Sequence, residues 1–274
     1  MQQDPLTRWR RRLEAWAIPE QILAAAPESP WGFPVGLFKA RAEQARTQPA
    51  TPSDLEAARF LPPGGEVLDV GAGAGAASLP LAGLAGRLVA VDESAAMLDA
   101  FRAAAAAAGV ASATIQGSWP PVAGSAAPAD VVVCHHVLYN VPDLAAFADA
   151  LTVHARRRVV VELTERHPLA ALAPLWRRFH GLDRPDGPTA DDAEAALRAI
   201  GVQVARHDWT GERRAGFDSF QGLVADTRRR LCLGPDRDPE VADALGGEAA
   251  RGDGGWWLGA GPRRLVTLAW PGTA

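Results

Sequence analysis

The chain has 274 residues, 48% of them hydrophobic and 22% charged, enough to bury a full core without disulfides or a structural metal. A formal charge of −4, from 28 Lys+Arg against 32 Asp+Glu, opposes the phosphate backbone as a default partner and makes nucleic acid a minority reading. Cys134 and Cys232 are too few for a disulfide framework, a four-cysteine zinc site or an iron–sulfur cluster, and they suit a reducing, cytoplasmic setting.

In chain order, the N-terminal MQQDPLTRWRRRLEAW lacks the apolar core of a secretion signal, and no charge-free apolar stretch of about 18 residues follows to span a membrane. Asp4-Pro5 supplies a helix cap and first-turn proline, and Leu6, Trp9, Leu13 and Trp16 recur at helical spacing, which puts Arg8, Arg10, Arg11 and Arg12 on a solvated face. Pro19 opens a second short helix. Residues 29–38 are too broken by proline and glycine for one regular element and read as a shaped aromatic loop. Thr51-Pro52 starts a further helix, which Pro62-Pro-Gly-Gly65 ends. Residues 1–60 are thus expected as an N-terminal helical lid or extension, with one α/β domain over 61–274.

In that domain short apolar strands alternate with Ala-rich helices, the rhythm of a parallel sheet covered on both faces. Strands are expected near Val67–Val70, Leu88–Val91, Ala113–Gln116, Val131–Cys134, Val159–Leu163, Val202–Trp209 and Leu265–Trp270. Helices are expected near 75–83, 94–108, 143–151, 169–180 and from Thr189 toward Ile200. A helical insertion occupies about 212–262. Within it Phe220, Leu223, Val224 and Leu231 share a helix face, which predicts packing over the sheet.

The most informative segment is Glu66-Val-Leu-Asp-Val-Gly-Ala-Gly-Ala-Gly-Ala-Ala77, a strand feeding directly into glycines. Glycines permit a sharp turn and a closer ligand approach than a Cβ allows. The next strand ends in Asp92, about twenty positions beyond Gly71, where a carboxylate accepts both hydroxyls of an adenosine ribose. The same glycines also fit the dinucleotide pattern G-x-G-x-x-A, which keeps a nicotinamide oxidoreductase as an alternative.

The segment resembles the first motif of the class I S-adenosylmethionine-dependent methyltransferases, in which an acid stands two residues before the first glycine, as Asp69 stands before Gly71. Val91-Asp-Glu-Ser-Ala-Ala-Met-Leu98 resembles that family's second motif, and Ala129-Asp-Val-Val-Val-Cys-His-His136 its fourth-strand motif. Residues 64–165 carry the resemblance. It implies a Rossmann-like, doubly wound, seven-stranded sheet, mostly parallel with the last strand antiparallel. It also implies S-adenosyl-L-methionine as cofactor and S-adenosyl-L-homocysteine as product. By the same resemblance Gly71, Ala72, Gly73 and Gly75 cradle the methionine part, Asp92 anchors the ribose, and Glu93, Met97, Gly117, Ser118 and Trp119 surround adenine. The carbonyls near Cys134 and His135 receive the ammonium, with Asp69 acting through the local network. Ser118 stands where the family usually has an aspartate, so the expected carboxylate contact to the adenine amino group is absent.

A sulfonium already activates its methyl group, so the protein chiefly aligns a nucleophile, excludes water and removes a proton where one must leave. The candidate bases are His135, His136 and Tyr139, with Glu162 also near the mouth of the sheet. Trp31, Phe33, Phe38, Glu165, His167, Trp176 and His180 are candidates for the acceptor pocket, although core packing alone accounts for such aromatics. Adjacent His135 and His136 have no third ligand at a recognisable spacing, so no metal is expected. Cys134 reads as a small buried residue. The Asn/Asp-Pro-Pro-Tyr/Phe motif of exocyclic-amine DNA methyltransferases and the Pro-Cys nucleophile of cytosine C5 enzymes are both missing. The leading expectation is methyl transfer to oxygen or nitrogen of a small molecule. The arginine runs keep an RNA or protein acceptor as an alternative, and a non-catalytic S-adenosylmethionine binder is the alternative from another class.

Overall fold

Alternation along the central strands decides which side chain faces which layer. Val67, Val131, Val133 and Val160 point into one apolar cluster, and Leu68, Val70, Val132, Val159 and Val161 into another on the opposite face of the sheet. A strand apolar on both sides needs helices on both sides, and the chain provides them. The computed structural model describes residues 3–32, 34–212, 214–259 and 262–274.

Four helices come first: α1 (Pro5–Glu14), α2 (Glu20–Ala25), α3 (Val35–Thr47) and α4 (Pro52–Phe60). The α/β region follows with β1 (Glu66–Val70), β2 (Arg87–Asp92), α5 (Ala95–Ala107), β3 (Ala111–Gln116), β4 (Ala129–His135), α6 (Leu144–Val153) and β5 (Ala155–Thr164). Then come α7 (Ala173–His180), α8 (Ala190–Ala199), β6 (Ala205–Gly211), α9 (Phe220–Arg230), α10 (Asp238–Leu245), β7 (Ala249–Gly252), β8 (Gly255–Leu258) and β9 (Arg263–Pro271). The main sheet runs β3-β2-β1-β4-β5-β9-β6, with β9 antiparallel to both of its neighbours and the other pairs parallel. All seven expected strands are present in the expected sense.

Caps set several boundaries. Thr51 and Asp54 form a reciprocal capping box at α4, Thr189 and Asp192 form another at α8, and Ser94 caps α5. Asp192 does more than cap, because Arg8 and Arg12 of α1 pair with it at 3.1 and 2.5 Å. Arg12 stays on the solvated side as expected and Arg8 is partly covered, and the two tie α1 to α8. Trp9 beside them is fully buried, and its indole N–H donates to the Val141 carbonyl at 2.8 Å. The N-terminal helices are divided between the faces, with α1 joining one apolar layer through Trp9 while α3 and α4 contribute Ala42 and Ala57 to the other.

Three expectations are corrected. The helix near 75–83 is only a short 3-10 turn at Leu79–Leu81, because Pro80 lacks an amide donor and Gly75 takes a left-handed φ of +96°. Helix α3 begins inside the segment read as a loop, started by Pro34 and carried on by good helix formers. The insertion does not lie over the sheet: Leu223, Val224 and Leu231 pack with Leu175, Trp176, Val241 and Leu245 in a third apolar cluster containing no residue of the seven strands. It also holds a hairpin, β7–β8, turned at Asp253-Gly254, a dipeptide that signals such a turn.

If α1 is part of the core rather than an appendage, Trp9→Ala lowers the stability of the whole chain by about 3–5 kcal/mol in a single urea transition. Loss of α1 signal ahead of the main transition would contradict this.

Candidate active site

β1 lies between β2 and β4, so the chain reverses its direction of travel across the sheet there, and a crevice opens beyond the strand ends. The glycine turn lines it. Gly71 and Gly73 take φ of +71° and +53°, which an L side chain rarely adopts, and a Cβ on Gly71 would meet Val137 at 2.4 Å. Gly75 faces inward instead, where a Cβ would meet Phe101 of α5 at 2.8 Å, so this glycine serves packing.

The turn is stitched to the end of β2. The Gly71 and Ala72 amides both donate to the Val91 carbonyl, at 2.8 and 3.0 Å, and the Gly75 amide returns to Ala72 at 2.8 Å. The Gly73 amide donates to Asp92 Oδ2 at 2.8 Å, while Asp92 Oδ1 accepts from the Ser94 amide at 2.9 Å. Each carboxylate oxygen retains a lone pair, enough for a ribose diol. A pyrophosphate would need free amides and the start of a helix; four amides of this turn are engaged and no α-helix follows it.

Asp69 lies under the turn with no exposed surface. Its Oδ2 accepts from the Ser78 hydroxyl at 2.6 Å, and Oδ1 has no partner among the described residues. Burial, helped by the Asp92 charge, pushes its pKa up to about 7. Cys134, also fully buried, has its thiol pKa raised well above the usual range by burial, so it is no nucleophile. Of the residues expected around adenine, Glu93 and Ser118 are exposed near the end of β2, and the Gly117 amide donates to the Asp92 carbonyl at 3.0 Å. Met97 is buried, while Trp119 joins the core, edge-on to His154 at 4.9 Å.

At the end of β5 stands Glu162, 1% exposed. His136 Nε2 lies 3.0 Å from its Oε1, Arg214 Nη2 lies 2.7 Å from the same oxygen, and His135 Nδ1 is 3.9 Å from Oε2. Burial would raise the Glu162 pKa, but its close partners outweigh that and hold it well below the usual carboxylate range. Burial first and the Arg214 charge second push His136 down to about 3, so its imidazole is neutral. With His136 neutral, its N–H and the Arg214 guanidinium carry the stabilisation of the carboxylate. An ionised carboxylate cannot donate, so the 3.0 Å contact puts the imidazole proton on Nε2 and the lone pair on Nδ1. His136 takes a φ of +62°, unusual for a non-glycine residue, and its amide donates to the Glu162 carbonyl at 2.7 Å.

Several expected residues are committed elsewhere. The Tyr139 hydroxyl donates to the Thr164 carbonyl at 2.7 Å and burial raises its pKa, which removes it as a base. His167 stacks on Trp16 at 4.0 Å and accepts from the Leu169 amide. Trp176 lies in the third apolar cluster, and His180 contacts the Leu231 carbonyl at 2.7 Å through Nε2. Glu165 faces Arg264 at 3.7 Å. Trp31 is 49% exposed, and Phe33 lies outside the described residues. Phe38 does reach the site, because its ring is 3.3 Å from where a Cβ on Gly73 would stand. Arg41, Arg214 and Arg263 escaped sequence reasoning, because a single arginine or an Arg-Arg pair on separate segments carries no spacing signal.

Residues 67–157 match the model of a family described as a methyltransferase domain. The strand order and the single antiparallel strand agree with it. The chain thus carries a methyltransferase domain on a Rossmann-like fold of the class I type. Among solved structures, this chain resembles the magnesium protoporphyrin IX methyltransferase of Synechocystis, solved with bound S-adenosylhomocysteine, at TM-score 0.51 and 15% identity, over 97% of this chain and 100% of that one. It resembles the YcgJ protein of Bacillus subtilis at TM-score 0.51 and 15% identity, over 81% and 98% of the two chains. A putative methyltransferase of Bacillus halodurans matches at TM-score 0.50 and 16% identity, over 81% and 100%. At these identities the likeness is one of fold. No curated protein matches the sequence of this chain significantly.

Two opposite pH effects follow from the buried acids. Asp69, with its pKa raised, favours the folded state at low pH and loses that contribution as pH climbs from about 4 through about 7. Asp69→Asn therefore gains on the wild type in urea midpoint between pH 5 and pH 8; parallel curves would contradict the assignment. Glu162 behaves oppositely, its contribution vanishing as pH falls below the usual carboxylate range. Glu162→Gln costs roughly 3 kcal/mol at pH 7, toward the low end for a broken buried pair because solvent reaches the Arg214 side chain, 24% exposed.

Proposed function

We propose that the methyltransferase binds S-adenosylmethionine in the crevice beyond β1, β2 and β4 and transfers its methyl group to an oxygen or nitrogen of a small molecule. The observation that carries the cofactor assignment is the state of the glycine turn. Its amides are engaged within the protein while Asp92 keeps acceptor capacity, a combination suited to an adenosine without phosphates. The unpartnered Oδ1 of Asp69 adds a buried acceptor under the same turn, suited to an ammonium group. In this reading Asp92 holds the ribose and Glu93, Met97, Gly117, Ser118 and Trp119 border adenine. Gly71, Ala72 and Gly73, with Asp69, Cys134 and His135, take the methionine end.

When bound, the cofactor supplies a methyl group already activated by the sulfonium. The chain's own part is to align the acceptor, exclude water and manage its proton. Phe38 over the glycine turn and Val137 against Gly71 close the site from above. His136, held by Glu162 with its lone pair on Nδ1, accepts a hydrogen bond from the acceptor's reacting group and orients it; with its pKa pushed down to about 3 it does not keep the proton.

A small acceptor is favoured over RNA by the fate of the arginine runs. Of the runs Arg10–Arg12, Arg156–Arg158 and Arg228–Arg230, Arg12 binds Asp192, Arg156 and Arg157 face Asp130, Arg158 pairs with Glu56, Arg228 with Glu28 and Asp238, and Arg229 and Arg230 with Asp226, while Arg10 and Arg11 are exposed outside these pairs. Groups so paired offer little to a phosphate backbone. Among the described residues no helix is long and apolar enough to cross a membrane, and no His/Cys/Asp/Glu cluster could hold a metal ion.

Calorimetry with S-adenosylhomocysteine, S-adenosylmethionine and NAD tests the cofactor. The first two bind at micromolar levels or tighter and NAD does not; binding of NAD alone would overturn the reading. Asp92→Ala weakens S-adenosylhomocysteine about ten- to hundred-fold, from the roughly 1.5–3 kcal/mol of a charged hydrogen bond.

A further inference from the structure

Topology gathers cations around the end of β5. β9 runs antiparallel to β5 and starts beyond that end, bringing Arg263 there. Gly211 at the end of β6 pairs with Arg263, so Arg214, three residues on, arrives at the same place. Arg41 comes from the opposite side, on α3, one turn beyond the Phe38 that covers the glycine turn. Its Nε donates to the Ala215 carbonyl at 3.1 Å, and Gln44 of the same helix accepts from the Ala215 amide at 2.5 Å. The segment bearing Arg214 is thereby strapped to α3.

These charges are not balanced. Glu162 takes Arg214 at 2.7 Å, and Asp226 takes Arg229 and Arg230. Among the described residues neither Arg41 nor Arg263 forms an ion pair, and Arg263 Nη1 is buried without a hydrogen-bond partner. Arg263 Nη2 lies 3.5 Å from His136 Nε2, the atom whose N–H donates to Glu162, so it finds no good acceptor there either. Arg41, Arg214 and Arg263 repel one another, and burial lowers the proton affinity of Arg41 and Arg263 without discharging a guanidinium near neutral pH. Desolvated, mutually repelling cations are costly unless an anion completes them.

We infer that Arg41, Arg214 and Arg263 form an oxyanion subsite for the methyl acceptor, which carries a carboxylate or phosphate group. This rests on the methyltransferase reading above. The guanidinium fork matches both groups in geometry, and a subsite at the end of β5 stands across β4 from the glycine turn, leaving the cofactor crevice clear. A histidine held neutral by burial first and by the Arg214 and Arg263 charges after it suits an acceptor that arrives already ionised.

The test uses the full chain, ligand-free and loaded with S-adenosylhomocysteine, titrated calorimetrically with benzoate, inorganic phosphate and, as an uncharged control, benzamide. Benzoate or phosphate binds and benzamide does not. Arg263→Gln and Arg41→Gln each weaken the anion at least ten-fold, with Arg263→Lys between, in variants whose circular dichroism and melting match the wild type. The nitrogen-15 signals of His136, assigned with His136→Asn, move with anion in the wild type and stay fixed in Arg263→Gln. Absence of anion binding in a protein that binds S-adenosylhomocysteine would overturn the subsite alone. A ten-fold loss of S-adenosylhomocysteine in Arg263→Gln, with 5′-methylthioadenosine unaffected, would reassign the arginines to the cofactor's own carboxylate and also overturn it. Anion binding without any S-adenosylhomocysteine binding would instead remove the methyltransferase reading and, with it, the acceptor assignment.

Discussion

The bond from the Gly73 amide to the Asp92 carboxylate joins the two parts of the sequence on which the site depends. It closes the glycine turn against the end of β2, and with the bonds to Val91 it holds the turn in a conformation only glycine adopts readily. The same carboxylate caps the approach to α5 through the Ser94 amide. Turn, strand end and helix start are therefore one hydrogen-bonded unit, and its remaining acceptor capacity faces the crevice. Because the protein satisfies the turn's amides itself, the site is furnished for hydroxyls and a cation rather than for phosphate.

A second constraint operates two strands away. Glu162 is almost without solvent and stays ionised because a guanidinium and an imidazole N–H meet it directly. That contact determines the tautomer of His136 and fixes a residue whose backbone is itself unusual. The crevice thus has two electrostatic characters. Beneath the glycine turn is a buried acid with an open oxygen, and around the end of β5 is a surplus of positive charge. A zwitterionic cofactor and an anionic acceptor can be sorted between such poles without a large apolar cavity.

Elements outside the α/β region build the walls. α1 is bolted to α8 by Asp192 and sunk into the core by Trp9, whereas α3 crosses the glycine turn with Phe38 and reaches Ala215 with Arg41 and Gln44. The insertion has an apolar core of its own, shared with α7 and with Ile18 and Ile22 near α2. Its contacts with the N-terminal helices, including Arg229 to the Ser29 carbonyl at 3.0 Å, make the two additions one wall across the mouth of the sheet.

By itself the sequence determined the strands, their order of appearance, most helix starts and the glycine turn with the acid that meets it. Those features rest on local chemistry: two-residue alternation, capping residues, glycines that relieve a positive φ, and an acid at a strand end. It misled where a local rule met a local exception or a distant partner. Pro80 stopped the helix after the glycine turn, and Asp192, far along the chain, paired with Arg8 and Arg12. Tyr139 and His167 look like chemistry in a linear motif, yet folding commits them to Thr164 and Trp16. Only tertiary structure could bring Glu162, His136, Arg214, Arg263 and Arg41 together, because they come from four strands or their flanks and one helix, with no common spacing. Charge acts through space, and a line of letters records neither the distance nor the burial that decides its strength.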